Sequence, residues 1–207
     1  MKHYDCSRMT VNKALSELAQ ADLIQRRKRA GSFVGRPQVL SAVLEIADIR
    51  AEITGLGRGY DYRLLSRKRR AASRTDRAWL GVEEPCAVLA IEACHAADGV
   101  PFAMESRLVN LDAVPEAAEA DFSRDSCGSW LLANVPWSEA EHRIEAIGAD
   151  DDVASTLRIA KGTACLVVRR RTWRDIGRAR HTLTAVRLVY PGQEHQLVAR
   201  FKGRQAS

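Results

Sequence analysis

The strongest constraint in this sequence is a change of periodicity within its first 35 residues. Five apolar residues recur at the spacing of one face of an α-helix: Val11, Ala14, Leu15, Leu18 and Ala19. Ser7 precedes them and is a good N-cap, because its hydroxyl can accept a hydrogen bond from an unpaired backbone N–H. Residues 23–27 and 32–34 then favour two short strands joined by the basic turn Lys28-Arg29-Ala30-Gly31. The sequence therefore predicts a helix followed by a two-stranded hairpin with a basic tip.

A helix followed by a basic hairpin is typical of the recognition helix and wing of a winged helix-turn-helix. The recognition helix of such a motif meets base edges with its N-terminal end, where this helix carries short polar residues. Lys28 and Arg29 at the hairpin tip would reach phosphates or the minor groove. An ordinary amphipathic helix with a solvated basic turn fits the same spacing, so the pattern alone leaves both interpretations open.

The residues themselves resemble the GntR superfamily of regulators. The likeness covers residues 6–24, which follow the recognition-helix pattern of that superfamily, and residues 31–34, which follow its G-(S/T)-(F/Y)-V wing. The resemblance implies that Arg8, Thr10 and Asn12 face the DNA groove. Together with their neighbours and the wing tip they form the predicted DNA-binding set: Ser7, Arg8, Thr10, Asn12, Lys13, Lys28, Arg29 and Gly31.

Positive charge is concentrated near the N-terminus, although the net charge is only +6. Residues 1–36 carry eight Lys or Arg against three Asp or Glu, and residues 63–77 carry seven against one. Residues 78–207 carry fifteen against eighteen. This asymmetry favours a small part that faces nucleic acid, joined to a nearly neutral body.

Composition also bears on which classes of protein fit. No stretch of about 18 uncharged apolar residues is present, and the first five residues open no apolar leader, so we expect neither a membrane span nor a signal peptide. The five cysteines form no C-x-x-C pair, which favours small buried thiols in a reducing cytoplasm over a disulfide or zinc framework. We expect no metal and no cofactor.

A second part begins after Gly35-Arg36-Pro37-Gln38, which has the composition of a linker. Strands are predicted at 60–65, 86–95, 101–109, 137–147, 165–173 and 182–190, helices at 113–122 and 150–157, and a helical turn at 78–81. Asp98-Gly99 predicts a tight hairpin turn, and the Arg67–Arg70 run predicts a solvated face. The fold class that follows is α+β, with helices on an antiparallel sheet.

This second part resembles the effector-binding (UTRA) domain of the HutC branch of GntR regulators, which has the chorismate-lyase-like fold. The most specific segment is Trp137-Ser138-Glu139-Ala140-Glu141-His142-Arg143-Ile144. The resemblance implies a partial winged helix at 1–35, a linker at 36–40 and an effector-binding domain at 41–207. It further implies a cytoplasmic homodimer that represses histidine utilisation genes and leaves its operator DNA when the inducer urocanate binds.

The resemblance also implies which side chains line the effector pocket: His95, Glu105, Arg107, Glu141, Arg143, Thr184, Arg187 and Tyr190. Urocanate joins a planar imidazole to an acrylate, so it needs a cation for its carboxylate and an acceptor for its ring N–H. Arg143 or Arg187 could supply the cation. Glu141 or Glu105 could accept from the ring, and Tyr190 could form a flat wall. Strand arginines opposite strand glutamates are also common as surface ion pairs, and that interpretation stays open.

Two other functions fit parts of the sequence. The same fold hosts an enzyme that makes 4-hydroxybenzoate from chorismate. The sequence offers no nucleophile–base pair, metal-ligand spacing or phosphate loop, and fold likeness alone does not establish an activity, so we expect no enzyme. The other alternative is a ligand-binding module that does not bind DNA.

The predicted winged helix is incomplete, which can be tested. In the GntR superfamily two further helices and a short strand precede the recognition helix, whereas only Lys2-His3-Tyr4-Asp5 precedes it here. Without that support Val11, Leu15 and Leu18 would stay partly uncovered, so we expect this chain to bind operator DNA weakly or not at all. A mobility-shift titration measures this directly, and nanomolar binding would contradict the expectation.

Overall fold

A computed structural model describes residues 24–27, 31–34, 48–177 and 179–196. The chain forms two units, one of residues 1–46 with 197–207 and one of residues 47–196. In the first unit, strands β1 (Ile24–Arg27) and β2 (Gly31–Val34) pair antiparallel, so the predicted hairpin at the basic turn is confirmed. The predicted helix that precedes the hairpin lies outside the described residues.

The second unit is built on one antiparallel sheet of six strands in the order β3-β4-β5-β8-β7-β6. These strands are β3 (Tyr60–Ala71), β4 (Ala87–Ala97), β5 (Val100–Asn110), β6 (Glu139–Gly148), β7 (Ala164–Ile176) and β8 (Ala179–Pro191). The inner strands β4, β5 and β8 are buried along most of their length, whereas the edge strands β3 and β6 are half-buried or exposed. Burial on both faces explains why the inner strands are nearly continuous apolar runs in the sequence.

Four short α-helices cover the two faces of this sheet: α1 (Ile49–Gly55), α2 (Arg74–Leu80), α3 (Cys127–Asn134) and α4 (Asp151–Leu157). Helices α1 and α3 pack on one face, which we call the cavity face, and α2 and α4 pack on the opposite face. Ile53 of α1 shares a buried cluster with Leu188, while Leu157 of α4 shares one with Val189. Neighbours in β8 therefore belong to different layers, because side chains alternate along a strand.

Each of these four α-helices begins at a side-chain oxygen that accepts a hydrogen bond from a backbone N–H of the first turn. These N-cap residues are Asp48, Ser73, Ser126 and Asp150. The caps matter because helices of seven or eight residues are marginal by themselves, and a cap satisfies donors that the helix leaves unpaired. In α2 the cap is a full capping box, in which the Asp76 carboxylate also accepts from the Ser73 backbone and from Arg70 of β3.

Several predicted elements differ from the observed ones. The sequence did not predict α1 or α3, and the helix predicted at 113–122 is one 3-10 turn at Pro115–Ala118. Strand β3 continues through the charged run to Ala71, with these residues exposed on the sheet edge. The Asp98-Gly99 turn is confirmed, and both residues have positive φ values, 52° and 75°. Among the described residues, no helix is long and apolar enough to span a membrane.

The Asp76 carboxylate offers a pH-dependent test of how α2 is held. The hydrogen bond from Arg70 and the bonds from Ser73 hold the pKa of this carboxyl well below its usual range, although burial opposes them. A carboxyl with a depressed pKa stabilises the fold above its unfolded pKa of about 3.9 and loses that contribution as the pH falls toward the folded pKa. We expect Asp76→Asn to lower the free energy of unfolding by about 1–2 kcal/mol at neutral pH.

The loss should shrink progressively as the pH falls below about 4, because the native carboxyl then becomes protonated as well. Urea unfolding across this pH range measures both quantities. Asp61→Asn is the matched control, since Asp61 lies exposed on β3. A loss that stays constant with pH, or an equal loss in the control, would contradict this account.

Candidate ligand-binding site

A narrow cavity lies between the cavity face of the sheet and the N-terminal ends of α1 and α3. Its lining comes from both helices and from strands β4, β5, β7 and β8: Asp48, Ile49, His95, Glu105, Arg107, Ser126, Gly128, Leu132, Arg170 and Leu188. Because side chains alternate in strands, Glu105 and Arg107 point to the same side of β5, and the register places His95 and Arg170 on that side too. The guanidinium groups of Arg107 and Arg170 therefore share one small cavity.

A fully buried chain of hydrogen bonds forms the floor of the cavity. Glu105 accepts from Arg107 Nε at 2.5 Å and lies 2.9 Å from His95 Nε2, and none of the three residues is more than 3% exposed. Burial alone would raise the pKa of the Glu105 carboxyl, but Arg107 and His95 hold this pKa below its usual range. With His95 Nε2 donating to the carboxylate, Nδ1 is free to accept from the Tyr60 hydroxyl at 2.9 Å.

Arg170 is the unusual member of the site. It is only 8% exposed, yet among the described residues no carboxylate lies within ion-pair distance and no hydrogen bond reaches its guanidinium. Burial and the charge of Arg107 together lower the pKa of Arg170 to about 10, although the charges of Glu105 and Asp48 oppose this shift. Glu105 is already paired with Arg107, so Arg170 forms no ion pair among the described residues, although the charges of Glu105 and Asp48 act on it from farther away.

The N-terminus of α3 adds to the positive potential of the cavity. Ser126 caps this helix by accepting from the Ser129 backbone N–H at 3.1 Å. Gly128 follows in the first turn, where a Cβ would lie only 3.0 Å from Arg107 Nη2, so the absence of a side chain lets the guanidinium approach the helix. A helix N-terminus carries partial positive charge. The cavity thus combines two arginines and a helix N-terminus with the carboxylates of Glu105 and Asp48, and Leu132 and Leu188 are its apolar walls.

The structure brings together half of the predicted effector residues. His95, Glu105 and Arg107 line the cavity, and the Thr184 hydroxyl lies 3.5 Å from Arg107 Nη1 while donating to a backbone carbonyl. Tyr190 is buried on the same face but outside the cavity lining, where it packs edge-on against the ring of Phe102.

The other three predicted effector residues lie elsewhere. Glu141 and Arg143 are exposed on the edge strand β6 and pair with each other at 3.2 Å. Arg187 points to the opposite face of the sheet, because it is one residue out of phase with Val186 and Leu188. Of the predicted DNA-binding residues, Gly31 is the first residue of β2. The rest lie outside the described residues: Ser7, Arg8, Thr10, Asn12, Lys13, Lys28 and Arg29.

Sequence reasoning missed Asp48, Ser126, Gly128 and Arg170. The first three belong to the starts of α1 and α3, which are too short to show a helical period. Arg170 stands in the run Arg169-Arg170-Arg171, where the strand period of two shows that the middle side chain faces away from its neighbours. The sequence therefore showed that Arg170 and its neighbours face opposite sides of the sheet. Only the register with β8 shows that Arg170 is the one that faces the cavity.

Comparison with known proteins identifies the family to which the chain belongs. The model of the UTRA domain matches residues 55–196, and the model of bacterial regulatory proteins of the gntR family matches residues 1–34. The Histidine utilization repressor of Pseudomonas putida is 35% identical over 195 residues, which cover 94% of this chain and 77% of that protein.

Solved structures show the same relationship. The crystal structure of the C-terminal domain of the histidine utilization repressor from Pseudomonas syringae pv. tomato matches with a TM-score of 0.62 and 32% identity, over 70% of this chain and all of that one. PhnF from Mycobacterium smegmatis matches with a TM-score of 0.66 over 98% of this chain and 88% of that one, and at 19% identity it shows the fold alone. Because the UTRA model spans more than half of the sequence and the gntR model matches its start, the chain belongs to the GntR family of bacterial regulators with a UTRA domain.

Proposed function

We propose that this protein is a transcriptional repressor of histidine utilisation genes that leaves its operator DNA when urocanate binds the cavity. The observation that carries the proposal is the buried Arg170, which forms no ion pair among the described residues and lies in the same cavity as Arg107. The relatives named as histidine utilization repressors support the choice of target genes. Urocanate is an anion of the right class, and its carboxylate would neutralise Arg170.

The remaining groups of the cavity suit the rest of that molecule. An ionised carboxylate offers about four acceptor positions, and Glu105 uses two of them for Arg107 and His95, so it can still accept from an imidazole N–H. Leu132 and Leu188 supply apolar walls for the planar ring and its acrylate. The site thus provides a cation, an acceptor and two apolar surfaces within one small space.

Binding requires movement of α1 or α3, the two helices that cover the cavity. The cavity measures about 10 Å³, which is close to the room needed for one water molecule. Urocanate is far larger, so α1, α3 or both must shift when it enters. A ligand shifts an equilibrium only if it binds one arrangement better than the other, and here the bound arrangement would be the one that does not hold DNA.

Asp48 links the two covering helices and is placed to sense the ligand. Its carboxylate accepts from the Arg50 backbone N–H at 3.1 Å and from the Ser129 hydroxyl of α3 at 2.8 Å. Among the described residues, α1 is the first helix after the segment that matches the gntR model. An anion in the cavity would repel Asp48, loosen both contacts and disturb the chain where it enters the second unit.

We propose binding rather than catalysis at this site. The imidazole of His95 is held between Glu105 and Tyr60, and burial raises the pKa of the Tyr60 hydroxyl to about 12, which keeps it from acting as a nucleophile near neutral pH. We further propose a cytoplasmic homodimer, because two-fold operators are matched by two-fold proteins. The predicted boundaries at 1–35, 36–40 and 41–207 stay part of this proposal.

Replacing Arg170 tests the site. We expect Arg170→Met to weaken urocanate binding by about tenfold to a hundredfold, the worth of one charge-assisted hydrogen bond. The melting temperature should not fall, because the variant removes a buried charge that lacks a partner and keeps an apolar side chain of similar length. Calorimetry with urocanate measures the affinity, and Arg143→Met, on the exposed face of β6, is the control. Unchanged affinity in Arg170→Met would remove the cavity as the urocanate site.

Replacing Asp48 tests the link between the helices. Asp48→Asn keeps an oxygen that can cap α1 and accept from Ser129 but removes the negative charge. We therefore expect urocanate to bind up to about tenfold more tightly, because one repulsive charge is absent. Asp125→Asn is the control, since Asp125 also contacts Arg50 but is mostly exposed. Weaker binding in Asp48→Asn would show that Asp48 stabilises the ligand-binding arrangement instead.

A further inference from the structure

A row of polar residues crosses all six strands on the opposite face of the sheet. The strand register places each member directly beside the next: Ser66, Glu92, Ser106, Arg187, Arg169 and Arg143. Ala185 and Val189 lie two residues before and after Arg187 in β8. They belong to the apolar clusters beneath α2 and α4, respectively. The polar row therefore marks a strip of sheet that neither helix covers.

A cleft of about 570 Å³ lies over one end of this row. Ser66, Glu92, Ser106 and Arg187 form its floor, and α4 forms a wall. Because this cleft is on the opposite face of the sheet from the cavity lined by Arg107 and Arg170, which we call the effector cavity under the proposed function, it is a separate space, large enough for a small metabolite.

The floor of the cleft presents opposite charges that do not neutralise each other directly. Arg187 is half-buried and forms no hydrogen bond or ion pair with any residue that the structure describes. Arg169 lies directly beside it and is already paired with Glu145 at 3.0 Å. Like charges side by side on a sheet are destabilising, so an anion from outside the chain would stabilise Arg187.

Glu92 is the acidic counterpart across the floor. It lies two strands away from Arg187, which is about 9–10 Å between backbones. It accepts a hydrogen bond from the Ser106 hydroxyl at 2.6 Å, and burial raises its pKa. Asp150 and Asp152 add negative charge on the α4 side of the cleft, so a simple anion is repelled there while an ammonium group is attracted.

We infer that this cleft binds an α-amino acid as its zwitterion, with the carboxylate on Arg187 and the ammonium group on Glu92. Each end of such a ligand meets a group of opposite charge that the described chain leaves without an ionic partner. The hydroxyls of Ser155 and Thr156 line the same cleft and can accept or donate further hydrogen bonds. The inference does not rest on the proposed repressor function, because no residue is shared between the two sites.

The test uses the full chain and the twenty common L-amino acids as probes. Thermal-shift measurements at about 10 mM of each identify any that bind, since weak affinities are detected at that concentration. Calorimetry then compares the tightest-binding amino acid with its α-amide and with its deamino acid. We expect each blocked analogue to bind at least about tenfold more weakly, because each leaves one charge of the cleft unpaired.

Substitutions in the polar row test whether the amino acid binds there. Arg187→Gln and Glu92→Gln should each weaken binding of that amino acid by about tenfold or more, and Arg187→Lys by less than Arg187→Gln. Arg143→Gln, at the exposed end of the same row, and Arg170→Met, in the effector cavity, should leave the affinity unchanged. If Arg187→Gln fails to fold, as judged by circular dichroism, the comparison of the analogues on the unaltered chain decides alone.

Several results would overturn the inference. One is that none of the twenty amino acids binds, and another is that the amide or the deamino acid binds equally well. Binding that is lost in Arg170→Met but kept in Arg187→Gln would place the amino acid in the effector cavity instead. A change of sedimentation mass in Arg187→Gln, with no amino acid binding to the unaltered chain, would show that a second copy covers the cleft. In each case urocanate binding to Arg170→Met still tests the proposed function separately.

Discussion

The buried carboxylate of Glu105 is the interaction on which the site depends. A carboxylate with 1% exposure would be costly to bury alone, and it is tolerated here because Arg107 and His95 both direct N–H groups at it. The same contacts fix the direction of the Arg107 guanidinium and the orientation of the His95 ring. Without this charge, Arg107 and Arg170 would be two buried cations in one cavity, and the arrangement could not persist.

The balance around Glu105 also explains why one cation stays available. The carboxylate compensates Arg107, so Arg107 acts as part of the scaffold, while Arg170 forms no ion pair among the described residues. The chain thereby separates two tasks that both need arginine. One arginine organises the floor of the cavity, and under the proposed function the other would bind the carboxylate of the ligand.

The periodicity of apolar residues in the sequence predicts much of the fold but only part of the site. The strands and the Asp98-Gly99 turn could be predicted because long apolar runs and turn residues carry strong local signals. Helices α1 and α3 could not, since each has only two buried residues and relies on a cap and on packing against the sheet. Glu105 and Arg107 were found through family resemblance, but Arg143 and Arg187 looked equally suitable, because one residue of phase decides which face a strand side chain meets.

The missing side chain of Gly128 affects both the shape of the cavity and the position of Arg107. A single methyl group at that position would lie 3.0 Å from Arg107 Nη2, so the guanidinium would have to move by a few tenths of an ångström. Arg107 is tied to Glu105, so this movement would also disturb the hydrogen bond to His95. The shape and the charge of the cavity are therefore coupled through one backbone position that carries no side chain. A substitution at Gly128 would thus change the cavity without replacing any side chain that forms a hydrogen bond in it.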